Sequence, residues 1–305
     1  MIQVSVILPI YNGAKTLSNT LDSLVAQTYS DFEVIACIDG SADDSEPILG
    51  QYALKFKKLT ILKNSINRGL GPTMNRLLHH AKGDYMAIAE QDDYYYPERL
   101  QLQVELLDND QSIGLVSGIA EFWDGERIST KFPGILVHGK QYPEDVEMFM
   151  LNYKHQIKVV NSCMMFRKSI HIDNGLYFTQ HYPSVSVDWS YILRFSLISK
   201  IHGLNQVLVR LDRRSDRSSV TANKTKTFKA TRELLRSFAF EYPHIIKNED
   251  YKYAMRTQYL MEINSKSGIA YLISWLNHYI KCPFEKRYID SMIKRISMKM
   301  KINSN

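Results

Sequence analysis

The densest chemistry in the chain lies in YMAIAEQDDYYYPERL, residues 85 to 100, where an apolar run stops at Glu90-Gln91-Asp92-Asp93 and gives way to tyrosines. Side chains two apart share one side of a strand, so the carboxylates of Glu90 and Asp92 could hold a hard divalent cation such as Mg or Mn. Water and phosphate oxygens would complete its shell. A solvated acidic turn capping the helix at Pro97 competes with that reading, because acids are common where helices start. Further candidates lie far off in sequence: Tyr11-Asn12, Asp39, Asp188 just before an apolar helix, and the basic loop LDRRSDRSSV at 211 to 220.

The surrounding elements decide whether these groups can meet. VSVILPI reads as a buried β-branched strand ending at Pro9 and the Asn12-Gly13 turn, and Leu17, Leu21 and Leu24 then recur at helical spacing within 14–27. FEVIACID is a second strand stopping at Asp39-Gly40-Ser41. EPILGQYALKF is helical and LTILK is a third strand. NRGLG turns into a helix that stops at Gly83, and 84–89 form a fourth strand. The order β-α-β-α-β-α-β implies a mostly parallel sheet with helices on both faces. Its strand ends, carrying Tyr11-Asn12, Asp39 and Glu90-Asp92, open on one edge, where ligands bind in such sheets.

Beyond the acids, RLQLQVELLDND reads as a helix, IGLVSGIAEFWD as one or two strands, and EMFMLNYKH as a short helix. SCMMFRKSI, 162–170, reads as a strand and QVLVRLD as another. From about residue 221 the pattern is helical only, which places a boundary near 220. The final segment sets Ile289, Met292, Ile293, Ile296 and Met300 on one face with Arg287, Lys294 and Lys301 opposite. A basic amphipathic helix of that kind can lie on an anionic membrane surface, or dock as an ordinary surface helix.

Composition narrows the classes. The 305 residues are 45% hydrophobic and 23% charged, enough for a sizeable core in one or two domains. Net charge +6 would suit acidic partners, yet the basic residues gather late, without a nucleic-acid reading motif, so no nucleic acid is expected. Three scattered cysteines suggest neither a disulfide framework nor a zinc cluster, and the expected setting is the cytoplasm, with peripheral attachment at its membrane face. No G-x-G-x-x-G follows the first strand and no G-x-x-x-x-G-K-[ST] occurs, which argues against nicotinamide, flavin and P-loop chemistry.

Taken in order, VSVILPIYNG, QTYSDFEVIACIDGSADD, NRGLGPTMNRLLHHAKGDYMAIAEQDD, YYYPERL and SVDWSYILRF resemble the successive motifs of the family-2 glycosyltransferases, over roughly residues 3 to 220. That resemblance implies the GT-A fold, a Rossmann-like mixed sheet flanked by helices. Residues 1–110 would form its nucleotide-binding half, 111–220 its acceptor half, and 221–305 a helical extension. It implies that Pro9 and Tyr11 wrap the nucleotide base, with Asn12 beside them, and that Asp39 accepts hydrogen bonds from a uracil-like edge. An Asx turn before Gly40 is a role compatible with it. Arg68 and Asn75 would flank the phosphates, whereas Arg76 reads equally as a surface salt-bridge residue. Asp92 would be the main metal ligand, and Glu90, with Gln91, would reach either the metal or the donor ribose or sugar. Asp93 could equally cap the following turn. Asp188 aligns with the general base, though a helix N-cap is also open to it.

Three departures from the family pattern stand out. Ile38 replaces the first of a common double Asp, Val187 replaces the Glu that usually precedes the base, and Arg214 stands where the family often has a loop histidine over the diphosphate. A guanidinium binds phosphate but not a cation. Arg213, Arg214 or Arg217 would then supply part of the charge, making the cation less essential than usual. The implied function is inverting transfer of a sugar from a nucleotide donor, UDP-linked by preference, to a saccharide or lipid-linked acceptor. A non-catalytic nucleotide-sugar-binding protein and a nucleotidyltransferase on a similar scaffold are the alternatives.

Overall fold

The computed structural model describes residues 2–132, 139–156, 159–179, 186–214, 224–281 and 285–302. The chain divides into two compact units, Met1–Val220 and Thr221–Asn305.

In the first unit, β1 (Val4–Ile10), α1 (Leu17–Val25), β2 (Phe32–Asp39), α2 (Ser45–Gln51), β3 (Leu59–Asn64), α3 (Leu70–His80) and β4 (Tyr85–Ile88) follow the alternation read from the sequence. β1 pairs in parallel with β2 and β4, and β2 with β3, so the C-terminal ends of all four strands face one edge. β1, β2 and β4 are buried along nearly their whole length, which explains why they read as continuous β-branched runs rather than as alternating ones.

The rest of the sheet is mixed. After β4 come a three-residue β5 (Asp93–Tyr95), α4 (Arg99–Asn109), β6 (Ile113–Trp123), β7 (Ile128–Phe132), α5 (Asp145–His155), β8 (Met165–Arg167), α6 (Lys168–Asp173), α7 (Val187–Ser196) and β9 (Lys200–Asp212). The sheet runs β3-β2-β1-β4-β8-β6-β9-β5, with β7 on β6. β8 is antiparallel to β4 and β6, and β5 to β9, whereas β6 and β9 are parallel. One core, under α1 and α4, includes Leu17, Leu21, Leu100 and Leu107, and the other, under α3, α5 and α7, includes Met74, Leu77, Met148 and Phe195.

Two sequence readings change. The strand expected over 162–170 is only Met165–Arg167, because a 3-10 turn at Asn161–Cys163 precedes it and Lys168 opens α6. Asp188 is not an N-cap: that place belongs to Ser186 at φ 57°, and Asp188 lies in the first turn of α7.

The second unit contains α8 (Lys224–Glu241), α9 (Asn248–Asn264), α10 (Gly268–Lys281) and α11 (Lys286–Ile302). Ile263, Tyr271 and Tyr288 form a small core with Leu260 and Trp275 against it. Ion pairs Arg232–Glu262 at 2.5 Å and Arg256–Glu285 at 2.8 Å tie its helices together. Arg287, expected on an exposed basic face, instead pairs with Glu285 and lies 3.9 Å over the Tyr253 ring.

Candidate active site

Glu90, Asp92 and Asp93 come together in the turn between β4 and β5, each offering a carboxylate oxygen within 4.8 Å of the others. Strand geometry is not what aligns them, since β4 ends at Ile88. The turn is held from below. The Glu90 N–H donates to the Tyr95 hydroxyl at 2.6 Å, Thr20 of α1 donates to the Asp93 carbonyl at 2.7 Å, and the Tyr95 N–H donates to Ser23 Oγ at 3.1 Å. Beneath Tyr95 sits the fully buried Arg99, 4.5 Å from the ring, donating to the carbonyls of Ile88 at 2.7 Å and Met164 at 3.3 Å.

Three acids this close oppose one another's ionisation. Burial, reinforced by the charges of Asp92 and Asp188, pushes Glu90 up to about 7, against the hydrogen bond from Asn161 and the charge of Arg213. Asp93 is raised well above the usual carboxylate range by burial and by the charges of Glu90 and Asp92, although Ser162 donates to it. All-oxygen donors under mutual repulsion fit a hard divalent cation, which would relieve that repulsion.

The donor-side loops are stapled to one another. Tyr11 N–H donates to Gln91 Oε1 at 2.8 Å, and Gln91 Nε2 donates back to the Tyr11 carbonyl at 2.9 Å. Gln91 crosses so close to Gly13 that a Cβ there would lie 2.5 Å from its Oε1. Asn12, at φ 49°, accepts from Ala42 N–H at 2.9 Å, while its own N–H donates to Ser41 Oγ at 3.0 Å. Asp43 and Ser45 accept the N–H groups of Ala14 and Gly13 at 2.9 and 2.8 Å.

Asp39 is buried at the end of β2 and accepts from Asn64 Nδ2 at 2.7 Å and from the N–H groups of Arg68 and Gly69 at 2.9 and 3.0 Å. It therefore fixes the loop that carries Arg68, whose side chain is exposed. Asn75 donates to the Phe178 carbonyl at 2.8 Å and accepts its N–H at 2.9 Å, clamping α3 to the segment before α7. Arg76, rather than forming a surface ion pair, donates to the Lys63 carbonyl at 2.6 Å and to Asn64 Oδ1, closing the end of β3.

Asp188 and Pro9 line one small pocket with Glu90 and Asn161, and Asn161 Nδ2 donates to Glu90 Oε1 at 2.6 Å. A second, polar pocket beside Asp92 is lined by Lys15, Tyr94, Arg210, Asp212 and Arg214. There the Arg214 guanidinium donates to the Asp212 carboxylate at 2.9 and 2.7 Å. Arg217 lies outside the described residues.

The sequence model of the family described as Glycosyl transferase family 2 matches residues 5–174, more than half of the chain. The chain belongs to that family. Among curated relatives, EpsE of Bacillus subtilis, which carries a glycosyltransferase name, is 33% identical over 184 residues, 58% of this chain and 66% of EpsE. An uncharacterized glycosyltransferase of Rickettsia typhi is 29% identical over 68% of this chain and 63% of its own length. The chain thus matches just under two thirds of these relatives. Among solved structures, Staphylococcus aureus TarS (residues 1–349) superposes with a TM-score of 0.66 at 19% identity, covering 90% of this chain and 78% of TarS. A Pyrobaculum calidifontis mannosyltransferase, solved with GDP-Man and Mn2+, superposes at 0.58 and 16% identity, covering 96% of this chain and 87% of its own. At these identities the likeness is one of fold, and the fold of this family-2 chain is GT-A.

Several site residues carried no mark in the sequence. Asn161 and Ser162 reach the acids from a distant segment that no motif distinguishes, whereas Tyr95 and Arg99 lay inside the quoted YYYPERL block without an assigned role. Ser41, Asp43 and Ser45 lay inside the quoted GSADD block without an assigned role, although N–H groups left open by the glycine turn were a signal for them.

Proposed function

We propose that this family-2 chain transfers a sugar from a UDP-linked donor to a saccharide or lipid-linked acceptor, with inversion at the anomeric carbon. The observation that carries the proposal is the position of Glu90, which belongs to the acidic cluster and also lines the Asp188 pocket. A group that binds the donor's leaving side and a group that can take a proton are thereby adjacent. Support for the donor comes from TarS, also solved in complex with UDP-GlcNAc, at TM-score 0.63. Support for the acceptor class comes from a Bacillus spizizenii poly(ribitol-phosphate) beta-glucosyltransferase, 34% identical over 123 residues, 38% of this chain and 19% of that enzyme.

In this reading the half-exposed Tyr11 ring stacks on the base, and Asp39 holds the loop that carries Arg68 beside the diphosphate. Asn75 acts one step back, fixing the segment next to the donor. Asp188 accepts the proton of the acceptor hydroxyl as that oxygen attacks the anomeric carbon, and nucleoside diphosphate leaves on the opposite side. Asp92, Glu90 and Asp93 would hold a divalent cation, Mn or Mg, which supplies positive charge to the leaving diphosphate. The arginines at 213 and 214 would add to that charge. The C-terminal helices would attach the protein peripherally to an anionic membrane surface where lipid-linked acceptors are built.

Replacing Asp188 by Asn tests the proposal. Transfer should fall by roughly 10²- to 10⁴-fold, the range ascribed to a positioned general base, with donor affinity intact. Full transfer by that variant removes Asp188 from the mechanism, and transfer absent from the wild type while donor binds supports a binding protein instead.

A further inference from the structure

α10 faces the wrong way for an ordinary amphipathic helix. Its inner side is aromatic and hydrogen-bonded: Tyr271 is buried, Trp275 stacks on Tyr279 at 5.0 Å and donates to the Tyr288 carbonyl at 3.2 Å, and His278 stacks on Tyr288 at 4.3 Å. Its outer side is aliphatic. Ile269, Leu272, Ile273, Leu276 and Ile280 are 53 to 75% exposed. At about 100° per residue they fall within an arc of about 100°. A contiguous aliphatic stripe of this kind marks an interaction surface, whereas single exposed leucines do not.

The charge around that stripe says what covers it. Residues 265–305 hold eight basic and two acidic side chains, a net +6, so the first 264 residues balance and the whole protein's excess resides here. On α11, Lys286 and Lys294 are exposed, and Ile293 and Ile296 add apolar surface beside them. A second copy of the chain would bring +6 against +6, whereas an anionic surface is complementary to it. No helix among the described residues is long and apolar enough to cross a membrane. The combination of aliphatic stripe, neighbouring cations and Trp or Tyr behind the stripe is that of a helix lying in a lipid interface.

We infer that the α10 stripe inserts into the surface of an anionic phospholipid bilayer, with the lysines of α11 contacting headgroups. This deepens the peripheral attachment proposed above: α10 supplies the apolar anchor, and α11 the charge. It does not depend on the donor chemistry. The test is co-sedimentation of the full chain with vesicles of phosphatidylglycerol and phosphatidylcholine, or of phosphatidylcholine alone. Leu272→Glu/Leu276→Glu and Lys286→Glu/Lys294→Glu variants are run beside the wild type, with sedimentation velocity for self-association.

The wild type should bind the anionic vesicles, and each double variant should bind them at least roughly tenfold more weakly. Both leucines are more than half exposed, so circular dichroism should show a folded chain. Vesicle binding unaffected by Leu272→Glu/Leu276→Glu, or no vesicle binding at all, overturns the inference. So does a dimer that this variant dissociates, which would make a second copy the occupant. Release of nucleoside diphosphate from a UDP-sugar, measured on the same preparations without vesicles, reports separately on the catalytic reading.

Discussion

At the scale of single residues, what distinguishes the acidic turn is that its members are not equivalent. Asp93 is buried against Ser162, Glu90 is held by Asn161 and Tyr95, and Asp92 opens towards the polar pocket with Lys15 and Arg214. Glu90, pushed up to about 7, carries its proton through mildly acidic pH and must release it to bind a cation. Cation affinity should therefore rise with pH up to and through about 7 and then level off. Titration of Mn2+ by calorimetry at several pH values checks this, and Glu90→Gln should shallow the slope. Arg214 gives a second prediction: if its guanidinium adds charge at the leaving group, the wild type retains some turnover in EDTA, and Arg214→Ala loses it. Complete metal dependence in both proteins would show that the arginine adds nothing. The rough location of Asp92 was legible because it ends an apolar run, whereas Asp188, at the start of a helix where acids are common, was picked out by the family resemblance alone. Asn161 was not legible, because its role exists only once β4 and β8 are side by side, and Tyr95 and Arg99, though inside the quoted YYYPERL block, gain theirs only once β5 and α4 fold under the turn.

At the scale of elements, the site is a set of loops bolted to one another at glycines that leave no room for a side chain. Gly40, at φ 66°, lies under the loop after β3, and a Cβ there would be 2.3 Å from the Asn67 nitrogen. Both the backbone conformation and the contact oppose Gly40→Ala, which should destabilise the chain by about 1–3 kcal/mol and weaken donor binding. Thermal melts and nucleotide titration give the two readouts. His171 offers a pH test of the α6–α7 packing. Its ring lies against Phe166 and Tyr191, its Nδ1 is 3.0 Å from the Tyr191 hydroxyl, and burial lowers it to about 4 from an ordinary 6.5. Between those values the unfolded chain takes up a proton that the folded chain refuses. Stability should therefore be unaffected by His171 above about pH 6.5 and fall as pH drops towards 4, with His171→Gln flattening that part of the profile. The early strands were legible because β1, β2 and β4 are continuous apolar runs. β5 was not: three residues in a tyrosine-rich stretch become a strand only through pairing of Asp93 and Tyr95 with Leu211 and Val209.

At the scale of the whole molecule, two units carry different chemistry. The first carries a small net negative charge and presents its acids and arginines at one edge of a mixed sheet. The excess positive charge lies in the second unit, around the exposed helix α10. The change of pattern near residue 220 was visible because βα alternation stops there. The outward direction of the α10 stripe was not, since a helix with apolar residues on one side reads the same whether that side is covered or bare. The account's central claim is donor chemistry at the acidic turn, and release of nucleoside diphosphate from a panel of nucleotide sugars with Mn2+ tests it most directly. The expected result is UDP released from a UDP-sugar by the wild type and lost in Asp92→Asn. Release of pyrophosphate, or a panel in which no nucleotide sugar is bound or hydrolysed, would contradict it.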